Sequence, residues 1–252
     1  MPYYPPQQVR VTFGPGRLTP VVKLLIWVNV AAFLVTQFLP GLITYLGLMP
    51  AAVVGHLALW QPFTYMFLHG GLFHLLFNML ALWMFGVELE RMWGTRFFLR
   101  YYLVTGVGAA ATVLLLSLLP WGIGDFLYYS LTVGASGAIY GLLLAYALYF
   151  PDRPIYLYML FPIPAKWFVL ILGGIAFLSS IQNAGGGMAH GAHLGGLVVG
   201  YVYLQSRRGR PLFDLKYYLT RWRMNRLRRR FDVYPGRRQG PGSGPGPGGW
   251  VH

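Results

Sequence analysis

The fold is decided by one stretch, Gly134-Ala-Ser-Gly-Ala-Ile-Tyr-Gly-Leu-Leu-Leu-Ala-Tyr-Ala-Leu-Tyr-Phe150. The part from 136 to 150 has no charged residue, and its length and apolar character predict a helix rather than a strand. Gly137 and Gly141 stand four residues apart, a spacing that permits close helix packing in a membrane. The stretch therefore predicts an apolar helix with a small-residue face, which begins just after a glycine-containing turn.

A second stretch has the same character, and it reads His190-Gly-Ala-His-Leu-Gly-Gly196. It opens an apolar run in which Gly196 and Gly200 repeat the four-residue spacing. Two helices with small-residue faces are able to approach each other closely. We therefore expect the helix that follows Gly134 to pack against the helix that follows His190.

The chain contains six apolar segments in all, and together they set its class. Their ranges are Val21–Leu39, Phe73–Arg91, Phe97–Leu119, Ser136–Phe150, Trp167–Gln182 and Ala189–Gln205. The composition is 56% hydrophobic and only 10% charged, and a soluble domain with so few charges does not cover its surface. Crossing ~30 Å of hydrocarbon takes about 20 residues. These observations predict an all-α membrane protein, a bundle of six transmembrane helices.

Positive charges are distributed unevenly along the 252 residues, which carry a formal net charge of +14. All 20 Lys and Arg residues lie in or beside alternate connections, and the connections 40–72, 120–135 and 183–188 have none. This alternation is the positive-inside pattern of six helices with both termini in the cytoplasm. A nucleic-acid interface gathers its charges on one face instead, so we predict no nucleic-acid partner.

Three regions of different composition follow from these segments. The first region, residues 1–19, is rich in proline and glycine, which predicts a flexible cytoplasmic lead. The second, residues 20–206, is the predicted transmembrane domain, and the third, residues 207–252, is a predicted cytoplasmic tail. Twelve basic residues follow Ser206, and a Gly/Pro-rich end comes after them. We expect part of this tail to bind anionic lipids as an interfacial helix; the alternative is a solvated charge run that only enforces topology.

Polar side chains inside an apolar helix are candidate functional groups, because burying them without partners is costly. His74 and Asn78 are four residues apart and therefore share one helix face. Both side chains donate hydrogen bonds, so the pair suits one small anionic group. The alternative is that the two residues only join neighbouring helices.

Ser136 and His193 form a second candidate pair. Ser136 lies between small residues at a helix start, where unpaired N–H groups favour negative charge. If the two glycine-containing helices pack, the hydroxyl reaches the His193 imidazole, and the pair becomes a nucleophile with its general base. The alternatives are a helix-capping or packing serine and, for His190 with His193, half of a metal site. A metal site is disfavoured because the chain has no cysteine and no His-Glu-x-x-His motif, and Asp125 is the one acidic residue in the connections 40–72, 120–135 and 183–188.

Together these pieces resemble the rhomboid family of intramembrane serine proteases over residues 20–205. The motifs that carry the resemblance are Trp60-Gln-Pro-Phe-Thr64, His69, the His74/Asn78 pair, Gly134-Ala-Ser-Gly137, and Ala192-His193 with Gly196 and Gly200. Their order on six predicted helices makes the resemblance specific. Gln61 departs from the arginine that many members have after the tryptophan, which puts the anchoring of the first connection in question.

The resemblance implies a role for each matching residue. The implied catalytic residues are Ser136 as nucleophile, His193 as general base, and Asn78 and His74 as oxyanion donors. The implied supporting residues are Gly134, Tyr140, Gly196 and Glu90. Tyr140 is expected to pack on the catalytic imidazole, and Glu90 to tie nearby backbone together. His190 stands where some members have asparagine.

The implied function is that of a serine endopeptidase that cleaves transmembrane segments of membrane proteins with a Ser-His dyad. No metal or other cofactor is expected. The alternative is a catalytically silent relative that binds or escorts transmembrane segments. The expected location is the bacterial inner membrane, with both termini cytoplasmic.

Overall fold

The computed structural model describes residues 14–120, 122–157, 161–182 and 187–207. Within them the helices are α1 (Pro20–Phe38), α2 (Gly41–Leu46), α3 (Pro50–His56), α4 (Gln61–Thr64), α5 (Leu72–Ala81), α6 (Val87–Trp93), α7 (Thr95–Ser117), α8 (Gly122–Tyr128), α9 (Ser136–Tyr149), α10 (Ala165–Gln182) and α11 (Gly187–Arg207). A 3₁₀ turn (Tyr65–Phe67) follows α4, and a π-helical turn (Leu82–Gly86) joins α5 to α6. The tail beyond Arg207, with its predicted lipid-binding part, lies outside the described residues.

The long helices match the six predicted segments, because each observed boundary lies within two residues of the predicted one. Three described helices are long and apolar enough to cross a membrane, namely Pro20–Phe38, Leu72–Trp93 and Thr95–Ser117. Ser136–Tyr149 and Ala165–Leu178 are apolar but shorter. The apolar, mostly helical architecture is thus confirmed, and the count of six membrane crossings stays a prediction.

Helices α9 and α11 lie in direct backbone contact, as their glycine spacing predicted. A Cβ atom at Gly196 would lie 2.0 Å from the Gly137 carbonyl oxygen, and one at Gly200 would lie 3.2 Å from the Gly141 Cα. Tyr101 on α7 donates its hydroxyl hydrogen to the Gly141 carbonyl at 2.7 Å. A third helix is therefore joined to the closely packed pair.

The first connection, residues 40–71, packs on the bundle. It consists of α2, α3, α4 and the 3₁₀ turn. Leu48 and Thr132 form an antiparallel bridge in which each N–H donates to the other's carbonyl, at 2.9 and 2.8 Å. Backbone hydrogen bonds therefore link the first connection to the loop that leads into α9.

Glu90 ties together the chain around α6, as the family resemblance implied. Its buried carboxylate accepts hydrogen bonds from the Val21 and Val22 N–H groups at 3.1 and 3.0 Å. The hydroxyls of Thr19 and Thr95 also donate to it. A carboxylate in this place satisfies unpaired N–H groups at the start of α1 and favours the positive end of that helix dipole.

The last residues of the N-terminal lead, 14–19, are held against α6. The Arg91 guanidinium donates to the backbone carbonyls of Pro15 and Arg17. Pro15 and Arg17 therefore have hydrogen-bond partners on α6, and the expectation of a flexible lead over 1–19 stays a prediction. The rest of that lead lies outside the described residues.

One short hairpin departs from the all-helical prediction. Strands β1 (Pro154–Leu157) and β2 (Phe161–Pro164) pair antiparallel in the connection between α9 and α10, with Ile155 opposite Ile163. Three prolines in these strands disfavour a helix, because proline lacks the N–H and its ring clashes with the preceding turn. The prediction of an all-α chain is corrected at this point only, among the residues that the structure describes.

Candidate active site

Ser136 and His193 meet where α9 and α11 approach each other. Ser136 is the first residue of α9, and its Oγ lies 2.8 Å from Nε2 of His193. His193 stands about two turns into α11, and one turn before the close contact at Gly196. The Oγ–Nε2 distance is that of a hydrogen bond, which is the geometry of a nucleophile beside its general base.

The imidazole of His193 is held by an aromatic neighbour. The Tyr140 ring stacks on it with centroids 4.1 Å apart and an angle of 5° between the planes. Tyr140 follows Ser136 by about one turn, so one helix carries both the hydroxyl and the ring that orients its partner. Nδ1 of His193 has no hydrogen-bond partner among the described residues. Stacking, rather than a carboxylate, sets the plane of this imidazole.

His190 lies close to His193, with ring centroids 5.9 Å apart. It is His193, however, whose Nε2 contacts the Ser136 hydroxyl. No group of three or more His, Cys, Asp or Glu side chains suited to a metal ion occurs within the described ranges. The two histidines therefore find no third ligand there, and the arrangement favours a base with a neighbour over half of a metal site.

Gly134 keeps a small space open beside Ser136. Its φ is +125°, a conformation that residues with a side chain rarely adopt. A Cβ atom on Gly134 would lie 2.8 Å from the His74 ring and 3.7 Å from the Ser136 Oγ. The His74 ring and the hydroxyl therefore border the same space, although α5 and α9 are far apart in the sequence.

Asn78 lies one turn after His74 and is buried, with 7% of its surface exposed. Its Nδ2 donates a hydrogen bond to the His74 backbone carbonyl at 2.7 Å. A primary amide carries two N–H bonds, so one of them remains for another acceptor. The two residues thus lie one turn apart on α5, and their joint role as oxyanion donors stays a prediction.

Tyr65 supports the turn that precedes Ser136, and the sequence analysis did not identify it. Its backbone carbonyl accepts the Gly134 N–H at 3.0 Å, and its hydroxyl donates to the Gly106 carbonyl at 2.7 Å. The residue is 1% exposed. The one feature of the sequence that could have identified Tyr65 is its position directly after the motif Trp60–Thr64.

Gln61 anchors the first connection, although it departs from the family pattern. Its buried side chain accepts the Met49 N–H at 3.0 Å and donates to the Tyr45 carbonyl at 3.3 Å. Trp60 donates its indole N–H to the same carbonyl at 2.9 Å. Glutamine offers both a donor and an acceptor. Gln61 therefore anchors the first connection, even though many family members have arginine at this position.

His69 lies in the first connection just before α5, with 1% of its surface exposed and its ring 5.0 Å from that of His74. Burial lowers the pKa of His69 to about 4, because an apolar environment disfavours the charged form. The ring is therefore neutral at physiological pH and fills space behind His74 without adding charge.

Comparison with known proteins shows the family of the chain. The model of the Rhomboid domain matches residues 56–208, which is more than half of the chain and includes Ser136 and His193. The chain belongs to the rhomboid family. Rhomboid proteins are generally intramembrane serine proteases, and the Rhomboid domain together with the apolar helices indicates an integral membrane protein.

Several curated rhomboid proteins are similar to the chain. Rhomboid protease GluP of Bacillus subtilis is 35% identical over 147 residues, which are 56% of this chain and 25% of GluP. Rhomboid protein 1, mitochondrial, of Saccharomyces cerevisiae is 33% identical over 138 residues, or 54% of this chain and 38% of that protein. Rhomboid-like protein 19 of Arabidopsis thaliana is 28% identical over 206 residues, or 79% of this chain and 64% of that protein. The chain spans less than two thirds of the length of each.

These relatives bear on the membrane in which the protein resides. They include a mitochondrial protein of yeast and a plant protein. The expectation of a bacterial inner membrane is therefore not supported, whereas an integral membrane location is.

Proposed function

We propose that this rhomboid protein is an intramembrane serine endopeptidase that cleaves transmembrane segments of other membrane proteins. The observation that carries the proposal is the 2.8 Å contact between Ser136 Oγ and His193 Nε2. The stacked Tyr140 ring supports it, because it holds the imidazole in the orientation that proton transfer needs.

The reaction proceeds in two steps. Ser136 Oγ attacks the carbonyl carbon of the scissile peptide bond, while His193 Nε2 takes the hydroxyl proton. His193 gives this proton to the leaving amine, the C–N bond breaks, and an acyl ester remains on Ser136. A water molecule then gives a proton to His193 and attacks the ester. The ester C–O bond breaks, the new carboxyl end is released, and His193 returns the proton to Ser136 Oγ, which restores the hydroxyl.

The carbonyl oxygen becomes negative in both steps and requires hydrogen-bond donors. The Ser136 N–H is available, because the first N–H groups of a helix have no partner within it. The His74 ring borders the space beside the hydroxyl, and Asn78 retains a second N–H bond. These three groups are the proposed oxyanion donors.

Access to the site sets the kind of substrate. The connections 40–72, 120–135 and 183–188 carry no Lys or Arg, and Ser136 directly follows one of them. In the proposed topology the site therefore opens to the non-cytoplasmic side. A helical substrate keeps its carbonyls in backbone hydrogen bonds, so cleaved segments need helix-breaking or small residues near the scissile bond.

Cleavage of a transmembrane reporter in proteoliposomes tests the proposal. Ser136→Ala and His193→Ala should each abolish cleavage, because each removes one partner of the 2.8 Å contact. His190→Ala is the matched control, since it removes an imidazole one turn away and should keep substantial activity. Near-wild-type cleavage by Ser136→Ala or His193→Ala would contradict the assignment.

The alternative function is that of a catalytically silent relative that binds or escorts transmembrane segments. It predicts that wild type binds the reporter and leaves it intact. The retained serine and histidine and their contact favour the protease.

The basic tail is proposed to attract anionic lipids. Ten Lys or Arg and a single Asp lie between Arg207 and Arg230, and attraction to an anionic surface is worth ~1 kcal/mol per basic residue. A peptide of residues 207–232 should bind anionic vesicles, and the binding should weaken at high salt because the Debye length shrinks. Equal binding to neutral vesicles would contradict this proposal.

A further inference from the structure

Tyr65 contacts the chain on both sides of Ser136. Its backbone carbonyl accepts the N–H of Gly134, two residues before the nucleophile, at 3.0 Å. Its hydroxyl oxygen lies 3.1 Å from the point where a Cβ atom of Gly137 would stand, one residue after the nucleophile. One residue of the first connection therefore brackets Ser136.

Tyr65 is itself fixed at both ends. The hydroxyl donates to the Gly106 carbonyl on α7 at 2.7 Å, and the backbone carbonyl also accepts the Leu68 N–H at 3.2 Å. The residue is 1% exposed, so bulk solvent does not reach these bonds. Rotation of the side chain about its Cα–Cβ bond would break the bond to Gly106, so the hydroxyl keeps its place against Gly137.

We propose that Tyr65 is a positioning residue for the Ser136 nucleophile, an inference that rests on the proposed protease function. Tyr65 acts through Gly134 and Gly137, which fix the backbone on either side of Ser136. The 2.8 Å contact with His193 depends on where that backbone lies. A shift of about 1 Å in reacting groups, caused by a change elsewhere, costs up to ~10²-fold in rate.

Tyr101 provides a matched control, because it makes the same kind of bond at a different place. It is a fully buried tyrosine whose hydroxyl donates to a glycine carbonyl, that of Gly141, at 2.7 Å. Gly141 lies on α9 more than one turn beyond Ser136. Tyr101→Phe therefore removes an equivalent hydrogen bond without removing a contact beside the nucleophile.

The experiment compares full-length wild type, Tyr65→Phe and Tyr101→Phe in the same lipid. The thermal unfolding midpoint is measured for each, and kinetics are then recorded at a temperature at which all three are folded. The readouts are kcat and KM for a transmembrane reporter and the second-order rate of Ser136 labelling by a fluorophosphonate. Tyr65→Met, whose flexible side chain fills irregular space, is the second variant if Tyr65→Phe does not fold.

If Tyr65 positions Ser136, the two tyrosine variants should differ in the rate of the chemical step, even if their unfolding midpoints fall by the same amount. Tyr65→Phe should lower kcat and the labelling rate about tenfold or more, with KM nearly unchanged. Tyr101→Phe should stay within about twofold of wild type. Equal labelling rates for Tyr65→Phe and Tyr101→Phe would overturn the inference. If wild type itself neither labels nor cleaves, the proposed function fails instead, so the two failures are distinguishable.

Discussion

Two regions of the molecule converge on Ser136 and hold it in different ways. On one side, α9 and α11 touch at Gly137 and Gly196, where no side chain lies between the backbones. On the other side, the first connection reaches the loop before Ser136 through backbone hydrogen bonds of Leu48 and Tyr65. The helix contact depends on the absence of side-chain volume, whereas the connection depends on paired donors and acceptors.

This difference determines what each region tolerates. Added volume in the helix contact meets backbone atoms, which cannot move without displacing a whole helix. A lost hydrogen bond in the first connection shifts the backbone only slightly, and a buried group left unpaired costs about 1–3 kcal/mol. We therefore expect added volume in the helix contact to abolish activity, and a lost hydrogen bond in the first connection to reduce activity only in part.

The largest effect is expected for Gly196→Val. Its Cβ atom would lie 2.0 Å from the Gly137 carbonyl oxygen, so α11 must move away from α9 and take His193 from Ser136. Reporter cleavage and fluorophosphonate labelling should both fall below detection. Gly174→Val on α10 is the control, because no atom outside the adjoining backbone of its own helix lies within 4 Å of a Cβ atom there, and it should keep most activity. Normal activity in Gly196→Val would show that the helix contact is not essential.

An intermediate effect is expected for the donors that lie between the two regions. Loss of one oxyanion donor typically slows turnover ~10²–10³-fold, so His74→Ala and Asn78→Ala should each lower kcat with a smaller change in KM. Phe77→Ala is the control on the same helix, since its side chain is 64% exposed. If both donor variants changed only KM, this face would bind substrate and not the oxyanion.

The smallest effect is expected for Gln61→Ala in the first connection. The substitution leaves the Met49 N–H unpaired and removes the bond to the Tyr45 carbonyl, which should lower the unfolding free energy by about 1–3 kcal/mol. Cleavage below the unfolding midpoint should fall only a few-fold. Gln37→Ala, at an exposed glutamine on α1, should change neither quantity. If Gln61→Ala lost cleavage as completely as Gly196→Val, the two regions would not differ in what they tolerate, and the prediction would be wrong.

The long helices and the contact between α9 and α11 could be predicted from the sequence, because each leaves a local pattern in it. Apolar length marks each long helix, and the glycine spacing at 137, 141, 196 and 200 marks the faces that meet. The Ser136–His193 pair follows from these two signals together, since each residue stands at the start of one such face. The contacts of His74 and Tyr140 were expected from the resemblance to the rhomboid family.

The first connection was not accessible in the same way. Its hydrogen bonds join residues far apart in the sequence, such as Leu48 with Thr132 and Tyr65 with Gly106, and no periodic pattern encodes such pairs. Gln61 was identified as a departure, but its two partners are backbone groups that the sequence does not distinguish. The π-helical turn at Leu82–Gly86 was missed for another reason, because the apolar run continues through it without a break.

Peptide mapping after fluorophosphonate treatment tests the central claim, the activation of Ser136 by His193, most directly. The full-length protein in lipid is treated, digested and analysed by mass spectrometry for the phosphonylated residue. We expect the adduct on Ser136 in wild type and in His190→Ala, and none in Ser136→Ala or His193→Ala. An adduct on another residue, or equal labelling of Ser136 in folded His193→Ala, would contradict the account.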